Sequence, residues 1–139
     1  MARKPTRKSL TKTLDGLCRD IVRLRDDNCC QICRKTVKGR NSHPCHVVAK
    51  GKGASKKRFD LLNIFLGCFR CHRWWHDNPT ESGKWFAEEF PARNAYLEIY
   101  KGGKPAPITE IKMVEAIAHY KHIKANYEQM KGVKKGVKK

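Results

Sequence analysis

Apolar residues recur every three or four positions near the start of the chain, within the segment Leu10–Arg25. This spacing is typical of an amphipathic helix, and Thr13 is a suitable N-cap for it. Residues 1–9 are basic, so we expect them to form a mobile arm that can lie on phosphate groups. The apolar side of the helix includes Cys18, which we expect to pack in the core rather than bind metal.

Two short apolar segments in the middle of the chain predict β-strands, at His43–Ala49 and Leu61–Gly67. The basic, glycine-containing segment Lys50–Lys57 between them predicts a flexible loop. A further helix is expected to start near Phe69 and to end before Pro79, because proline cannot continue it.

Two helical patterns occupy the rest of the chain. Thr80–Tyr100 carries apolar and aromatic residues at helical spacing, and Pro91 is expected to break it into two pieces. Residues 105–131 contain the longest helix candidate, with Thr109 as a possible N-cap. Its apolar face is patchy, so it could dock on the core, pair with a second copy or extend along DNA. The residues expected on this face are Ile111, Val114, Ile117, Ala118, Ala125 and Tyr127.

The composition indicates one domain with a small core. Apolar residues make up 40% of the chain and the mean hydropathy is −0.71. A core of this size usually needs an additional stabilising element, and a bound metal ion is one possibility.

The charge of the chain is strongly positive, since 31 Lys and Arg residues against 13 Asp and Glu give +18. This excess suggests a polyanionic partner. DNA is preferred over a membrane, because no apolar run approaches the roughly 18 residues of a spanning helix. No signal peptide is apparent, so we expect a cytoplasmic location. Residues 132–139 repeat Gly-Val-Lys-Lys and predict a disordered basic tail that raises non-specific DNA affinity.

Four of the seven cysteines form two Cys-x-x-Cys pairs, Cys30 with Cys33 and Cys68 with Cys71. In a reducing compartment, pairs with this spacing are metal ligands rather than disulfides. Four thiolates suit a tetrahedral zinc ion with no open position, so we expect a structural zinc site. Cys29 could replace Cys30, but only Cys30 has the Cys-x-x-Cys spacing.

Histidines lie close to the cysteine pairs in the sequence. His72 and His76 are four residues apart on one predicted helix, so their rings share a face. His46 and Asn63 lie in the predicted strands, where His43 is a less favoured alternative to His46 as a base. These side chains offer what phosphodiester hydrolysis requires. They include a histidine base that can activate water, an amide that can orient the histidine, and ligands for a divalent ion. Packing would explain each residue alone, but their combination favours a site.

The order Cys-x-x-Cys, His-Val, Asn and Leu-x-Cys-x-x-Cys-His-x-x-Trp-His resembles the HNH (ββα-metal) endonucleases with a zinc-stapled core. The run Arg58-Phe59-Asp60-Leu61-Leu62-Asn63 is similar to the phage NinG/Rap group of recombination nucleases. The resemblance covers about residues 17–100. It implies an α+β fold in which residues 10–104 form a zinc-stapled ββα-metal domain, flanked by N- and C-terminal helices.

The resemblance also implies residue roles. His46 matches the general base, and Asn63 matches an Asn that positions the base or ligates metal. His72 and His76 match ligands of a catalytic ion, which could be Mg²⁺, Mn²⁺ or Zn²⁺. Cys45 stands where many HNH enzymes have an aspartate ligand. As a ligand it would favour zinc, but we prefer a buried strand residue at this position.

We therefore expect a metal-dependent DNA endonuclease, encoded by a phage and acting in recombination on branched or four-way junction DNA. A homodimer would supply the two active sites that junction resolution needs. The alternatives are a non-catalytic zinc-stapled DNA-binding protein and the HNH nuclease component of phage DNA packaging. Phosphate contacts are expected from seven basic residues: Lys50, Lys52, Lys56, Lys57, Arg58, Arg70 and Arg73.

Overall fold

The computed structural model describes residues 3–102 and 106–132. Within these ranges the chain has an α+β fold with six α-helices and a two-stranded antiparallel sheet, which confirms the predicted class. Of the predicted basic tail, residues 133–139 lie outside the described residues. The helices α1–α6 are Arg7–Arg25, Lys56–Phe59, Phe69–Asp77, Pro79–Glu89, Pro91–Tyr96 and Glu110–Met130, and the strands β1 and β2 are His43–His46 and Ile64–Gly67.

Helix α1 begins earlier than the apolar pattern predicts. The Thr6 hydroxyl accepts a hydrogen bond from the Ser9 N–H, and the Ser9 hydroxyl accepts one from the Thr6 N–H, each at 3.0 Å. This reciprocal cap satisfies backbone donors at the helix start. The prediction of Thr13 as N-cap is wrong, because its hydroxyl donates to the Ser9 carbonyl inside the helix. Residues 7–9 of the expected arm therefore belong to α1.

The C-terminal end of α1 is anchored to β2. Asp26 caps the helix, and its carboxylate accepts hydrogen bonds from the Leu66 N–H and the Arg25 guanidinium, each at 2.9 Å. Asp27 and Asn28 follow with φ angles of 56° and 51°. Short polar residues tolerate this left-handed conformation better than most, so the chain turns sharply here towards the first cysteine pair.

Strand β2 divides the core into two clusters. Successive residues of a strand point to opposite sides of the sheet. Ile64 and Leu66 therefore join α1 and Met113 of α6 in one cluster, whereas Phe65 joins Trp75, Phe86 and Leu97 in the other. All four residues of β2 are buried.

Gly67, at the end of β2, lies unusually close to β1. It pairs with His43, and a Cβ atom added at Gly67 would lie 2.9 Å from the Cys45 sulfur. Only glycine leaves room for this close approach.

The two strands are shorter than predicted. Strand β1 ends at His46 instead of Ala49, after which only the Val47 N–H still donates to the Asn63 carbonyl. Strand β2 begins at Ile64 instead of Leu61. The Asp60 carboxylate accepts a hydrogen bond from the Leu62 N–H and starts a 3₁₀ turn there.

The predicted flexible loop Lys50–Lys57 is ordered at its end. Ala54 and Ser55 are each only 3% exposed, and Lys56 begins α2. Ser55 also forms an isolated β-bridge with Pro107, which lies in the segment that leads into α6. The end of the loop is thus fixed to the segment that leads into α6.

The two prolines of the second half mark helix boundaries as predicted. Helix α3 ends at Asp77, and Pro79 occupies the first turn of α4. Pro91 likewise starts α5, which continues into a 3₁₀ turn at Leu97–Tyr100. Proline suits the first helical turn because its missing N–H would have no intrahelical partner there.

Helix α6 docks on the core, which was one of the three expected possibilities. Thr109 caps it as predicted, by accepting a hydrogen bond from the Lys112 N–H. Met113 is fully buried against α1, and the Tyr120 hydroxyl donates to the Phe59 carbonyl at 2.5 Å. The expected contribution of Ile111 and Val114 to the buried face is wrong, since these side chains are 73% and 52% exposed.

None of the helices within residues 3–102 and 106–132 is long and apolar enough to cross a bilayer.

Because Met113 fills the contact between α1 and α6, Met113→Ala should lower the free energy of unfolding by about 2–4 kcal/mol. Ile111→Ala removes a similar side chain from the exposed side of the same helix and should change it by less than about 0.5 kcal/mol. Urea unfolding followed by circular dichroism measures both values. Equal effects of the two substitutions would contradict the docking of α6 through Met113.

Candidate metal centre and histidine cleft

The four cysteines predicted as metal ligands come together in the structure. One sulfur from each of Cys30, Cys33, Cys68 and Cys71 lies within 4.8 Å of all the others. The sulfurs of Cys33 and Cys68 are 3.9 Å apart. Four thiolates at the usual zinc–sulfur distance are separated by about 3.8 Å at the edges of a tetrahedron. The cluster is therefore compatible with a metal ion and has the donor set that zinc prefers.

Backbone amides support the two buried sulfurs of the cluster. The Cys33 N–H lies 3.5 Å from the Cys30 sulfur, and the Cys71 N–H lies 3.4 Å from the Cys68 sulfur. Burial alone would raise the pKa of Cys30, but N–H groups that include that of Cys33 lower it to about 7. Amide donors that stabilise thiolates favour metal binding, because the thiolate is the form that ligates.

The structure decides between Cys29 and Cys30. Cys30 is fully buried with its sulfur in the cluster, whereas the Cys29 thiol donates to the Arg34 carbonyl at 3.1 Å. Cys18 and Cys45 are buried in the two core clusters, as expected for packing residues. Burial raises the pKa of the Cys45 thiol, which disfavours the thiolate that a metal would need.

A cleft of about 720 Å³ opens between the end of β1 and helices α3 and α4. Of the four residues predicted for the catalytic site, it is lined by three, namely His46, His72 and His76. Lys50 lies at its edge and is exposed, while Trp75 and Phe86 form part of its apolar floor. The cleft therefore brings imidazoles together with a positive charge on a water-accessible surface.

The ring of His46 is fixed by a backbone contact. Its Nε2 atom lies 2.9 Å from the Arg58 carbonyl oxygen. A carbonyl only accepts, so Nε2 carries the proton in the neutral ring and Nδ1 keeps its lone pair. Burial lowers the pKa of His46 below its ordinary value of 6.5, and the charges of Lys50 and Arg58 lower it further. The arrangement thus favours a neutral imidazole with one free basic nitrogen.

Asn63 does not line the cleft but holds the backbone beside it. Its side chain is fully buried and makes three hydrogen bonds. The amide oxygen accepts from the Val48 N–H at 2.8 Å, and the amide nitrogen donates to the carbonyls of Val48 and Lys57, each at 2.9 Å. Of the two predicted roles, this geometry favours orienting the segment around His46 over metal ligation.

His72 lies between two other histidines. Its Nε2 atom is 3.0 Å from His76 Nε2, and its Nδ1 atom is 3.3 Å from His43 Nδ1. Two nitrogens that bind one ion at right angles, each about 2.1 Å from it, are about 3.0 Å apart. The distance between the Nε2 atoms of His72 and His76 matches this separation. His43 can meanwhile accept the remaining N–H of His72, as the outer partners of metal-bound histidines commonly do. Burial lowers the pKa of His72, so its ring favours the neutral form that ligates.

Among the residues that the structure describes, only the four cysteines bring three or more His, Cys, Asp or Glu ligand atoms within 4.8 Å of one another. The pair His72 and His76 could therefore hold an ion only with further ligands from water or substrate. Magnesium and catalytic zinc sites commonly retain such positions.

The seven predicted phosphate contacts have different surroundings. Arg58 is not available, because its guanidinium makes two hydrogen bonds with the Asp15 carboxylate, at 3.0 and 2.7 Å, and only 14% of its side chain is exposed. Lys57 is half-buried in α2. The remaining five are exposed, and only the first of them lines the histidine cleft: Lys50, Lys52, Lys56, Arg70 and Arg73.

Two contributors to the site follow from long-range contacts. His43 lies opposite Gly67 in the sheet, which places its ring against His72. The Arg58 carbonyl reaches His46 because the Arg58 side chain is fixed to α1. Because side chains alternate along β1, His43 and His46 are expected on opposite sides of the strand. The contact between His43 and His72 becomes apparent only from the position of α3.

Known protein families, curated proteins and solved structures yield no match to this chain.

Replacing Cys30 with serine should lower the metal bound at the four-cysteine cluster from one ion per chain to nearly none, because a hydroxyl is a poor ligand for a soft ion. Cys29→Ser is the matched control and should retain the metal. Metal content after gel filtration and the thiolate absorption of the cobalt(II) form measure both. Loss of metal in Cys29→Ser with retention in Cys30→Ser would contradict the assignment of the fourth ligand.

Proposed function

We propose that the chain is a metal-dependent DNA endonuclease of the HNH (ββα-metal) class. The observation that carries this proposal is the histidine cleft. There, the neutral ring of His46, held through its Nε2 atom by the Arg58 carbonyl, lines the same cavity as the paired nitrogens of His72 and His76. Two antiparallel strands followed by a helix, with a cysteine cluster beside them, support the same class.

In this proposal His46 takes a proton from the attacking water. Its Nε2–H stays bonded to the Arg58 carbonyl, so the ring keeps its orientation while Nδ1 accepts the proton. Asn63 holds the chain on either side of that contact through its bonds to Val48 and Lys57. Lys50, exposed at the edge of the cleft, binds a phosphate oxygen of the substrate.

His72 and His76 would hold the catalytic divalent ion, which could be Mg²⁺, Mn²⁺ or Zn²⁺. When bound, such an ion neutralises charge on the scissile phosphate and on the leaving 3′ oxygen. The four-cysteine cluster would hold a structural zinc ion, because four thiolates leave no open position for substrate.

Branched or four-way junction DNA is the proposed substrate, in phage recombination within the host cytoplasm. This part of the proposal rests on the resemblance of the motifs to phage recombination nucleases. A homodimer would supply one active site for each of the two strands to be cut. The net charge of +18 supports a polyanionic substrate of any shape.

A non-catalytic zinc-stapled DNA-binding protein is the second candidate. It is favoured by the absence, among the described residues, of a third protein ligand close to His72 and His76. It needs only the cysteine cluster and the positive charge. The two candidates differ in whether His46 matters for anything beyond folding.

His46→Ala should reduce cleavage of labelled duplex, flap and four-way junction DNA by at least about 100-fold, because the general base is lost. His122→Ala is the control, since His122 is exposed on α6 and does not line the cleft. Reactions with Mg²⁺, Mn²⁺ or Zn²⁺ are compared on denaturing gels. Salt-sensitive binding by the native protein without cutting under any ion would favour the non-catalytic candidate.

The dependence of kcat/KM on pH should report the state of His46 in the free protein. Burial and the charges of Lys50 and Arg58 lower its pKa, while the hydrogen bond to the Arg58 carbonyl and the Asp15 carboxylate raise it. The net shift is downwards from 6.5, so activity should be constant above that pH and fall only as the pH drops through a lower pKa.

Lys50→Gln removes one of the charges that lower this pKa and should move the acidic limb of the profile to higher pH. A native limb centred above pH 6.5, or a limb unmoved by Lys50→Gln, would argue against His46 as the titrating group.

A further inference from the structure

A basic groove connects the histidine cleft with the N-terminal half of α1. Three cavities adjoin one another along it. The first is the histidine cleft, and the second, of about 210 Å³, shares Pro44, His46 and Lys50 with it. The third, of about 740 Å³, shares Asp15, Arg19 and Arg58 with the second. These shared residues connect His46 in the first cavity with Arg7, at the start of α1, in the third.

Every charged residue that lines the three cavities is basic except Asp15. Residues three, four or seven apart share one side of a helix. Lys8, Lys12 and Arg19 have this spacing and form a basic stripe along α1. Lys8, Lys12 and Arg19 are exposed, as is Lys50 at the other end of the groove. These positions differ from most of the predicted phosphate contacts, which lie on the loop before α2, on α2 itself and on α3.

The one carboxylate in the groove is already neutralised. Asp15 accepts both hydrogen bonds from the Arg58 guanidinium, at 3.0 and 2.7 Å. A bidentate pair of this kind satisfies the carboxylate and leaves little charge to repel an anion. The basic groove thus presents the four exposed cations to a ligand without a competing acidic group.

We propose that the basic groove binds the phosphate backbone of one DNA strand and leads it past His46 into the histidine cleft. The inference rests on the proposed function, because it assigns the path of that nuclease's substrate. The rise of α1 from Arg7 to Arg19 is about 18 Å. One strand of duplex DNA advances about 3.4 Å per nucleotide, so this stretch accommodates about five nucleotides.

The test measures binding rather than cleavage, so it stands whether or not the chain cuts DNA. Binding of a fluorescent 20-base-pair duplex is titrated at several salt concentrations without added divalent ions, and a denaturing gel checks that the DNA is intact. The variant Lys8→Gln with Lys12→Gln removes two groove cations. It should reduce the slope of log Kobs against log salt concentration by about 2.

Two matched variants complete the test. Lys8→Arg with Lys12→Arg keeps the charge and should keep the native slope. Lys38→Gln with Lys121→Gln removes two exposed lysines that do not line any of the three cavities, and should change the slope by less than about 0.5.

Equal slope changes in the two glutamine pairs would overturn the proposal, because they would indicate diffuse attraction by net charge. Competition by polyglutamate as strong as that of unlabelled DNA at equal charge would also overturn it, in favour of an acidic protein partner. The slopes could follow the expectation while neither the native protein nor any variant cuts DNA. In that case DNA binding in the basic groove is supported and the nuclease proposal fails.

Discussion

The sulfur of Cys68 lies in the four-cysteine cluster and also accepts the Cys71 N–H at the start of α3. The direction of α3 depends on this double contact, because Trp75 is its only buried residue among those that the structure describes. A helix with so little apolar anchorage needs its first turn fixed by other means. Since His72 directly follows Cys71, the cluster also determines where the imidazoles of α3 point.

The remainder of the site is positioned by polar contacts between distant segments. Arg58 is central to them, because its side chain binds α1 while its carbonyl holds His46. Asn63 adds a second connection between the segments around Val48 and Lys57. These contacts are buried or half-buried, where hydrogen bonds have few competing water molecules. The cleft is consequently built between elements rather than within one of them.

Local patterns in the sequence were sufficient for every helix except α2 and for the four cysteines that lie together. Apolar spacing located α1 and α6, prolines located the boundaries around α4, and the Cys-x-x-Cys spacing selected Cys30 over Cys29. Two of the errors concern features that depend on distant partners. The role of Arg58 required knowing that Asp15 lies beside it. Predicting the buried face of α6 would have required knowing how the helix is rotated against α1. In the structure Met113 is buried and Ile111 is exposed.

The contact between Gly67 and Cys45 has a consequence for how the sequence can change over evolutionary time. A Cβ atom at position 67 would lie 2.9 Å from the Cys45 sulfur, and both residues lie in the only pair of strands among the described residues. A larger residue at position 67 is compatible with this pairing only if position 45 becomes smaller. The two positions should therefore co-vary among descendants of this chain, with alanine at 67 accompanied by glycine or alanine at 45.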